Sequence, residues 1–406
     1  MLKYDVAVVG AGPAGSTTAK VLAEKGVKTV LIDKSKFPRD KPCGGGLSYK
    51  VLKRFPYIEK EGLVESYSYG GYAYYQTSKY ELKHIGDKPL VGMVLRKKFD
   101  YALVKLAIDA GCDFKQGNRV NRVQIKNGIV KIKLGNNEDI TSTVVVGADG
   151  VNSVVAKETG LRQKGFKIGV CVLQELRLNE KTINDYFTDK KMCYVHSRFK
   201  DVPGYGWVFP KREHVNIGIG EMIRTTGVIS EKKNLLEIYK KYIRFLKQQK
   251  IIPSGIKIGK IIGGALPVYP LDKTYSNRTI IVGDAAGFIN CATGEGIYYA
   301  MSSGEDAANI LVESLSKGEN NEDSLSKYEE TWMKDFGREL SLLKKLFKRQ
   351  NARSIEKLFK KAHKDKELTD LLIKVMLGES TLYEYKNEII KRYIYTSIKE
   401  MFHFPR

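Results

Sequence analysis

The chain has 406 residues, enough for two or three domains, and its 42% hydrophobic and 28% charged residues are typical of a globular protein. Its five cysteines and five histidines are scattered, which argues against a disulfide scaffold and against a metal site. No apolar run reaches the length of a membrane span and no signal-peptide pattern is present. We therefore expect a cytoplasmic protein, or one at the cytoplasmic face of a membrane.

The net charge of +23 indicates an anionic partner or a strongly solvated surface. Most of the excess is spread over the first 304 residues, and a denser patch from Arg338 to Lys364 has ten basic residues against two acidic ones. Such a field attracts nucleic acid, anionic lipid or phosphorylated substrates. A solvated surface rich in lysine and glutamate accounts for the same charge, so charge alone does not select a function.

The chain opens with the pattern of a βαβ unit. Residues 4–9 predict a buried parallel strand, residues 10–15 form a G-x-G-x-x-G turn, residues 16–25 predict a helix, and residues 29–32 predict a second strand that ends at Asp33. Strand, turn, helix, strand and acid occur in the order that dinucleotide-binding units use. The pattern predicts dinucleotide binding, and a Rossmann-like unit without a nucleotide is the alternative.

Each glycine of this turn has a physical role. Gly10 permits the tight bend, Gly12 lets the backbone approach a pyrophosphate, and Gly15 lets the helix pack closely on the sheet. The N-terminus of the helix faces the phosphates. Asp33 is placed to accept a hydrogen bond from a ribose 2′-OH, and its charge disfavours a 2′-phosphate.

A cysteine and three consecutive glycines follow, in the segment KPCGGG at residues 41–46. Glycine has no Cβ, so this backbone can adopt a positive φ and can pass close to a flat ligand. The segment predicts either a flexible turn with an incidental thiol or a backbone ledge beneath a cofactor.

Two later stretches alternate aromatic residues with others at the spacing of a strand. In residues 67–80 we interpret the tyrosines as an ordinary sheet face packed against a helix. In residues 203–220, Tyr205, Trp207 and Phe209 lie two apart and predict an aromatic face on one strand of a hairpin. The predicted partner strand repeats the alternation at Val215, Ile217 and Ile219.

Two more apolar strands end at an aspartate beside a glycine. Residues 141–153 run into Asp149-Gly150, and residues 278–304 run through Gly283-Asp284 into a helix that starts near Gly296. From about residue 310 the pattern becomes helical, and the segment from Arg338 to Lys364 reads as a basic amphipathic helix. That segment predicts contact with anionic headgroups or a substrate phosphate, and a helix with a solvated basic face is the alternative.

The glycine turn, the KPCGGG loop and the Gly-Asp motif resemble, in this order, the geranylgeranyl reductase family of the flavoprotein hydroxylase-like superfamily. Tyr205, Trp207, Phe209 and Pro210 match that family's Tyr-x-Trp-x-Phe-Pro signature. The resemblance covers roughly residues 1–310. It implies FAD bound in an extended pose and a reaction on isoprenoid chains.

The resemblance also implies how the cofactor is held. The first glycine motif holds the ADP half, Arg96 lies near the phosphates, and the backbone of Val120 meets the adenine side. The Gly-Asp motif holds the ribityl chain, and the helix after it stabilises negative charge on the reduced flavin. The implied cofactor-binding residues are Gly10, Gly12, Ala14, Gly15, Asp33, Lys34, Cys43, Gly44, Gly46, Arg96, Val120, Asp149, Asp284, Gly296 and Ile297.

For the chemistry, the resemblance places Cys43 against the isoalloxazine ring and Tyr205, Trp207 and Phe209 in the substrate site. We interpret Cys43 as a ring contact in preference to a redox or proton-handling group, because it lacks a resolving partner. Cys291 is the one candidate partner, and it is better explained as a small buried residue. Cys43 and Tyr205 are both candidates for the acid that protonates the alkene, and aromatic rings such as Trp207 can steady a developing cation.

The predicted fold is α/β, or α+β overall. It combines a Rossmann-like FAD-binding domain of the p-hydroxybenzoate-hydroxylase type, an antiparallel-sheet substrate domain and a helical C-terminal region. We predict a discontinuous FAD-binding domain from residues 1–50, 90–160 and 265–310. The substrate domain comprises residues 51–89 and 161–264, and the helical region comprises residues 311–406.

The predicted function is FAD-dependent reduction of the double bonds of geranylgeranyl chains in the synthesis of archaeal-type membrane lipids. The implied partners are an isoprenoid lipid or isoprenyl phosphate substrate, an external electron donor (ferredoxin, deazaflavin or nicotinamide) and an anionic membrane surface. Alternatives with the same fold are a monooxygenase or halogenase and a quinone-linked electron-transfer flavoprotein. A nucleic-acid-binding flavoprotein is a further alternative, but no RNA-binding motif is present and the aromatic residues are not interleaved with arginines.

Overall fold

The computed structural model describes residues 2–225, 234–349 and 351–402. The remaining parts of the predicted domains, at residues 1, 226–233, 350 and 403–406, lie outside the described residues. The strands, in chain order, are β1 (Leu2–Val9), β2 (Thr29–Asp33), β3 (Gly46–Ser48), β4 (Ser66–Ser68), β5 (Gly70–Tyr75), β6 (Tyr80–Ile85), β7 (Val91–Met93), β8 (Asp113–Gln116), β9 (Val120–Lys126), β10 (Ile129–Leu134), β11 (Asp139–Gly147), β12 (Lys167–Arg177), β13 (Cys193–Ser197), β14 (Gly204–Pro210), β15 (His214–Thr225), β16 (Ile262–Pro267), β17 (Tyr275–Ser276) and β18 (Thr279–Ile281).

The α-helices are α1 (Pro13–Glu24), α2 (Tyr49–Arg54), α3 (Tyr57–Lys60), α4 (Arg96–Asp109), α5 (Val154–Glu158), α6 (Glu180–Phe187), α7 (Leu235–Gln248), α8 (Gly283–Ala286), α9 (Ile297–Ser316), α10 (Glu322–Trp332), α11 (Arg338–Arg349), α12 (Ala352–His363), α13 (Lys366–Leu377) and α14 (Leu382–Phe402). A 3₁₀ turn occupies Phe199–Asp201, and a π-helical turn at Met333–Gly337 joins α10 to α11.

The chain divides into two compact units, each made from three separate segments. The first unit contains Met1–Lys41, Arg96–Ile168 and Leu266–Ser341, and the second contains Pro42–Leu95, Gly169–Ala265 and Leu342–Arg406. The cysteine-glycine loop, which we predicted within the FAD-binding segments, therefore lies in the second unit. The helical region from residue 311 onward is divided between the two units at residue 341.

The first unit has the sheet that the opening βαβ pattern predicts. Its strand order is β17-β18-β11-β1-β2-β8, with the β9–β10 hairpin attached through β10 to β11. The pairs β1–β2, β1–β11, β11–β18 and β2–β8 are parallel. Val6, Val8, Leu31 and Val145 are fully buried, because the central strands of a parallel sheet are covered on both faces.

Helices α1 and α9 pack closely within the first unit, and glycine makes this possible. A Cβ atom at Gly304 would lie 2.5 Å from the carbonyl oxygen of Ala14, and one at Gly283 would lie 2.9 Å from Cβ of Ala14. The hydroxyl of Thr18 lies 2.9 Å from the Ala14 oxygen and 3.1 Å from the Gly304 oxygen. This close contact fixes the N-terminal turn of α1 relative to the Gly-Asp segment.

The second unit has a sheet in the order β16-β12-β15-β14-β13-β5-β6 and a smaller one in the order β3-β7-β4. The β14–β15 pair is the predicted hairpin, with Trp207 opposite Gly218. The large sheet is mainly antiparallel, but β5 and β13 are parallel. Its face carrying Val208 and Ile217 packs on α6 and α7 around the fully buried Tyr239.

The C-terminal helices of the second unit cover the β5–β6 end of that sheet. Phe359, Leu368 and Ile373 pack with Tyr75 and Leu82 in one apolar cluster. The predicted basic segment therefore buries its apolar face in the protein along α12. Within the described residues, no helix combines the length and the apolar character needed to cross a bilayer.

Candidate active site

The turn after β1 is built for a closely approaching ligand. Gly10 has φ of 102°, and a Cβ atom there would lie 2.3 Å from the carbonyl oxygen of Ala148. A Cβ atom at Gly15 would lie 1.8 Å from the carbonyl oxygen of Gly10, so both positions exclude a side chain. At Gly12 the nearest atom to such a Cβ is Nη2 of Arg39 at 4.0 Å, which leaves its surface open.

Helix α1 begins directly at this open position. Gly12 is the N-cap, no side chain caps the helix, and the first turn has no acidic residue. The free N–H groups and the positive end of the helix dipole therefore face outward past Gly12 and Ala14. An anion such as a pyrophosphate fits this site.

Asp33 lies at the end of β2, as predicted, and its carboxylate is already oriented by the backbone. Oδ2 accepts a hydrogen bond of 2.8 Å from the N–H of Ala11, and Oδ1 accepts one of 2.7 Å from the N–H of Ser35. Each oxygen keeps a second lone pair for a ribose hydroxyl. The next residue, Lys34, is exposed.

Arg96 belongs to a buried ion cluster that sequence reasoning missed in part. Its Nε and Nη2 donate to the two carboxylate oxygens of Asp100 at 2.6 and 2.8 Å, and Nη1 of Arg39 donates to Oδ2 of Asp100 at 2.8 Å. Asp100 is fully buried. The cluster carries two positive charges against one negative charge, so it adds positive potential beside Gly12.

The Gly-Asp motif lies at the start of α8, and Asp284 is half-buried. Burial raises the pKa of its carboxyl, while Lys41 and Arg96 oppose that shift by attracting the charged form. A Cβ atom at Gly296 would lie 3.4 Å from Oδ1 of Asp284. The Gly-Asp motif and the start of the following helix are therefore adjacent.

Helix α9 begins at Ile297 with Gly296 as its N-cap, without a side-chain cap and without an acid in its first turn. Its free N–H groups can stabilise negative charge on a neighbouring ligand. With the turn at α1, the first unit presents two uncapped helix N-termini, an oriented ribose acceptor and an arginine pair. These features fit FAD, because a pyrophosphate, a ribose hydroxyl and a reduced flavin are the chemical groups that such features are suited to hold.

The carboxylate of Asp149 is hydrogen-bonded within its own loop, and its contact with a cofactor stays a prediction. Its oxygens accept hydrogen bonds from the Ser153 hydroxyl and from the N–H groups of Val154 and Val155. These bonds join Asp149 to the start of the short helix α5, whose N-cap is Ser153, and hold the loop whose Ala148 backbone packs on Gly10. Val120 is buried at the first position of β9 and is available to a ligand through its backbone only.

The cysteine-glycine loop belongs to the second unit, and protein contacts explain two of its glycines. A Cβ atom at Gly44 would lie 2.8 Å from the ring of Phe209. Gly45 has φ of 78°, and a Cβ atom there would lie 2.3 Å from the carbonyl oxygen of Val94. Gly46 begins β3 and has no such close neighbour. The half-buried Cys43 thiol accepts the Gly45 N–H at 3.4 Å.

The predicted aromatic row is present on β14. The ring centroids of Tyr205 and Trp207 are 5.8 Å apart, and those of Trp207 and Phe209 are 6.4 Å apart. Across the hairpin, Gly220 pairs with Tyr205 and Gly218 pairs with Trp207. A Cβ atom at Gly218 would lie 2.1 Å from Cζ2 of Trp207, so the indole lies flat over bare backbone. Val215, Ile217 and Ile219 face the opposite side, in the core with α7.

The tyrosines of residues 67–80 pack within the sheet, as we interpreted them. Tyr72 stacks on Tyr194 with centroids 5.0 Å apart, and Tyr74 stacks on His196 at 4.9 Å. His196 contacts the ring of Tyr242 on α7 at 5.4 Å. This face is therefore sheet-to-helix packing.

The titratable candidates differ in their environments. Burial raises the pKa of Tyr205 well above its usual range, so the phenol keeps its proton at neutral pH. Burial also raises the pKa of Cys291 to about 12, and the thiol is only 2% exposed. Cys291 is therefore a packing residue, as we interpreted it. Within the part of the chain that the structure describes, no cluster of three His, Cys, Asp or Glu side chains is suited to a metal ion.

A polar network with buried Asn216, Trp207 and Lys211 and an exposed Glu175 joins the two motifs of the second unit and was not foreseen. Asn216 donates to the carbonyl oxygen of Cys43 at 3.1 Å and accepts the indole N–H of Trp207 at 2.8 Å. It also donates a hydrogen bond to Glu175, and Glu175 accepts a second hydrogen bond from the ammonium of the buried Lys211. No local sequence signal announces this network, because its members are brought together by strand pairing over long separations.

A protein-family model described as an FAD binding domain matches residues 3–334 of the chain. An uncharacterised protein of Methanosarcina barkeri is 33% identical over 326 residues, which covers 78% of this chain and 77% of the relative. A digeranylgeranylglycerophospholipid reductase of Methanocaldococcus jannaschii is 32% identical over 342 residues, covering 81% of this chain and 82% of that protein.

A solved structure shows the same architecture along nearly the whole chain. A geranylgeranyl bacteriochlorophyll reductase-like protein from Thermoplasma acidophilum superposes with a TM-score of 0.75 at 25% sequence identity. The match covers 97% of this chain and 96% of that chain. The likeness therefore extends past the segments of the first unit to the segments that form the large sheet of the second unit and the C-terminal helices.

Proposed function

This chain belongs to the FAD binding domain family and, within it, to the geranylgeranyl reductases, and we propose from this premise that it hydrogenates isoprenoid double bonds in a digeranylgeranylglycerophospholipid. The observation that carries the proposal is the aromatic row Tyr205, Trp207 and Phe209, laid over Gly218 and Gly220. Neighbouring rings in this row have centroids 5.8 and 6.4 Å apart, and the row offers an apolar surface to a hydrocarbon chain. Aromatic rings bury large apolar areas with little loss of side-chain entropy.

The proposed chemistry divides into a hydride and a proton. Bound FAD, once reduced, supplies the hydride equivalent. An isolated alkene carries no electron-withdrawing group, so protonation and hydride addition must be closely coupled. The π face of Trp207 favours the positive charge that develops on the alkene carbon, and the apolar row excludes water from it.

Tyr205 and Cys43 were the two candidate acids. The raised pKa of Tyr205 makes the phenol a poor donor to a weakly basic alkene, so we assign Tyr205 to the wall of the site. Cys43 is held by its own loop through the Gly45 N–H, and we propose that it borders the isoalloxazine ring as a contact residue. With Tyr205 in the wall and Cys43 as a ring contact, the proton comes from solvent through a donor other than these two side chains, and the protein contributes mainly by orienting the reactants.

The electron donor is a separate molecule in this proposal, with ferredoxin, deazaflavin and nicotinamide as the candidates. Stopped-flow reduction of the bound flavin by each donor in turn distinguishes them. The productive donor is the one that reduces the flavin at least as fast as the enzyme turns over.

We further propose that α14 rests on an anionic membrane surface, where such a lipid resides. Ile390, Ile394 and Ile398 are 54%, 52% and 44% exposed, and their spacing of four places them along one side of the helix. Lys386 and Lys391 flank this stripe, and their charges complement acidic headgroups. The lysines from Arg338 to Lys364 add to this positive potential.

Vesicle co-sedimentation tests the membrane contact. Ile394→Ser should lower binding to anionic vesicles at least threefold, while Leu236→Ser, a change at an exposed position on α7, should not. Equal binding of both variants would remove α14 from the membrane surface, and a change of oligomeric state in Ile394→Ser would assign the stripe to a second copy of the chain.

Anaerobic single turnover tests the main function. The protein, reduced by dithionite, is mixed with digeranylgeranylglycerophospholipid, and mass spectrometry follows the gain of two hydrogens per reduced double bond. Flavin reoxidation that keeps pace with this mass gain supports the proposal. No mass gain, together with rapid oxygen consumption on adding substrate in air, would indicate a monooxygenase.

A further inference from the structure

Asn216 is a fully buried amide at the centre of the second unit's polar network. Its Nδ2 lies 3.1 Å from the carbonyl oxygen of Cys43 and 3.0 Å from Oε2 of Glu175, and its Oδ1 lies 2.8 Å from Nε1 of Trp207. The indole N–H can only donate, and the carbonyl and carboxylate oxygens can only accept. The three neighbours therefore fix the orientation of the amide without ambiguity.

Lys211 also supports the cysteine-glycine loop. Lys211 is 1% exposed, and its ammonium donates to Oε2 of Glu175, the oxygen that Asn216 also uses. A Cβ atom at Gly45 would lie 2.9 Å from Nζ of Lys211. The loop backbone therefore rests on the lysine, and the lysine is held in place by Glu175.

Asn216 lies outside both the cysteine-glycine motif and the aromatic signature, yet it is hydrogen-bonded to both. It pairs with Phe209 across the β14–β15 hairpin, so its side chain emerges on the same face as the aromatic row. Two groups separated by 164 residues in sequence, Cys43 and Trp207, thus share one rigid amide. Movement of either group breaks its hydrogen bond to Asn216, which is buried for Trp207 and part-buried for Cys43, and the loss of such a bond is energetically costly.

We propose that Asn216 is a positioning residue that sets the Cys43 backbone and the Trp207 ring in one fixed geometry, with Glu175 and Lys211 holding it in place. The inference rests on the proposed function, because it assigns a purpose to the geometry of the reductase site. Asn216 contacts neither flavin nor substrate in this proposal and acts only through the two residues it holds.

Asn216→Asp separates the two connections. The variant keeps an oxygen that accepts the indole N–H, but it replaces the donor to Cys43 with a second oxygen. We expect alkylation of Cys43 in the FAD-loaded protein, located by peptide mapping, to become at least about tenfold faster. The fluorescence of Trp207, read in a Trp332→Phe background, should stay close to that of the parent.

Asn216→Ala removes both connections, so Cys43 alkylation and Trp207 fluorescence should change together. Gln174→Ala is the matched control. Gln174 precedes Glu175 on β12 and is as buried as Asn216. Its side chain accepts a hydrogen bond from the hydroxyl of Tyr239 on the other face of the strand. The control should alkylate Cys43 at a rate within about twofold of the parent.

If Asn216→Asp does not fold, Glu175→Gln decides the question. This variant keeps an oxygen acceptor for Asn216 but removes the charge that orders it, so Cys43 alkylation should rise about threefold. A Cys43 alkylation rate in the folded variant that matches the Gln174→Ala control would overturn the proposal.

The effect on turnover is measured separately from the effect on geometry. In Asn216→Asp we expect the rate of flavin reoxidation by saturating lipid to fall about tenfold with little change in the lipid concentration at half-saturation. Changed alkylation without any lipid reduction in the parent would contradict the proposed function and leave the positioning role standing. Lipid reduction in the parent with unchanged alkylation in the variant would contradict the positioning role and leave the proposed function standing.

Discussion

Arg96 donates two hydrogen bonds to the carboxylate of Asp100, from Nε to Oδ1 at 2.6 Å and from Nη2 to Oδ2 at 2.8 Å. Four residues separate them on α4, so the pair lies along one face of the helix. Arg39 approaches the same carboxylate from another segment of the chain. A fully buried acid thereby fixes the positions of two guanidinium groups near the open Gly12 turn.

Asp100→Asn should weaken FAD binding by about tenfold, equivalent to roughly 1.4 kcal/mol. The amide has only one acceptor oxygen, so it cannot accept the hydrogen bonds of both Arg96 and Arg39. The two arginines then lose their fixed positions and their pre-organisation toward the phosphates. Titration of the apoprotein with FAD, followed by flavin fluorescence, measures the loss. Asp109→Asn, at the exposed end of the same helix, should bind FAD as the parent does; equal affinity of all three proteins would show that the cluster is structural only.

Asp284→Asn should stabilise the apoprotein while weakening its hold on FAD. Burial raises the pKa of this carboxyl above its ordinary value of 3.8. The unfolded state then loses the proton at lower pH than the folded state, so the free energy of unfolding falls as pH rises through the interval between the two pKa values. At neutral pH the whole free-energy cost of burying the ionised carboxylate is present, and the uncharged amide removes this cost.

The thermal midpoint of apo Asp284→Asn should therefore exceed that of the parent at pH 7 and converge with it as the pH is lowered toward about 4. Asp272→Asn, at an exposed position of the same unit, should leave the midpoint unchanged. A lower midpoint at pH 7, or undiminished FAD retention on gel filtration, would contradict the assignment of this carboxylate to the cofactor site.

Gly218→Ala should disturb the aromatic row as severely as Trp207→Ala. The new methyl group would lie 2.1 Å from Cζ2 of Trp207, so the indole must leave its position over the hairpin. We expect lipid reduction to slow by about tenfold or more in both variants, equivalent to at least roughly 1.4 kcal/mol of barrier, with an unchanged flavin spectrum.

The neighbouring Gly220→Ala provides the comparison on the same strand face. Its methyl group would meet Cβ of Cys171 at 3.6 Å and the Trp207 ring at 3.7 Å, which are ordinary contacts. It should retain most of the activity. Near-normal turnover of long isoprenoids by Gly218→Ala and Trp207→Ala would assign the row to sheet packing.

Cys43→Ser should reduce turnover only modestly, within about tenfold, because the serine oxygen can still accept the Gly45 N–H and the side chain keeps nearly the same volume. Flavin absorbance and single-turnover reoxidation by lipid should be followed on the same sample. A loss of around a hundredfold would assign the proton to Cys43, since that is the usual scale for removing a general acid. An unchanged spectrum, flavin potential and rate would separate the cysteine from the ring.

The sequence was most informative where a function depends on neighbouring residues. The Gly10–Gly15 turn, Asp33 and the Tyr205–Phe209 alternation are local patterns, and the structure contains each of these elements. Asp100 also had a local signal, its spacing of four from Arg96 on a helix, which we did not use. The N-cap of α5 also had a local signal, because serine is a common N-terminal cap and Ser153 directly precedes the helix.

The network around Asn216 had no such signal. Glu175 and Asn216 lie on the neighbouring strands β12 and β15 of the large sheet, and Cys43 comes from a loop 173 residues before Asn216. Asn216 in a sequence of alternating residues looks like any polar residue on a solvent face. The glycines of the KPCGGG loop were similarly open to misreading, since Gly44 and Gly45 are already explained by the close approach of Phe209 and Val94.

The three-segment construction of each unit has a consequence for synthesis on the ribosome. Strand β1 pairs with β11, which follows it by about 130 residues, and β11 pairs in turn with β18, which follows by about another 130 residues. At roughly 5–20 residues per second, each of these strand edges would wait on the order of 7–26 s for its partner. We therefore expect truncations that remove residues after 265 to leave the apolar edge of β11 exposed and to yield insoluble protein in place of a smaller folded one.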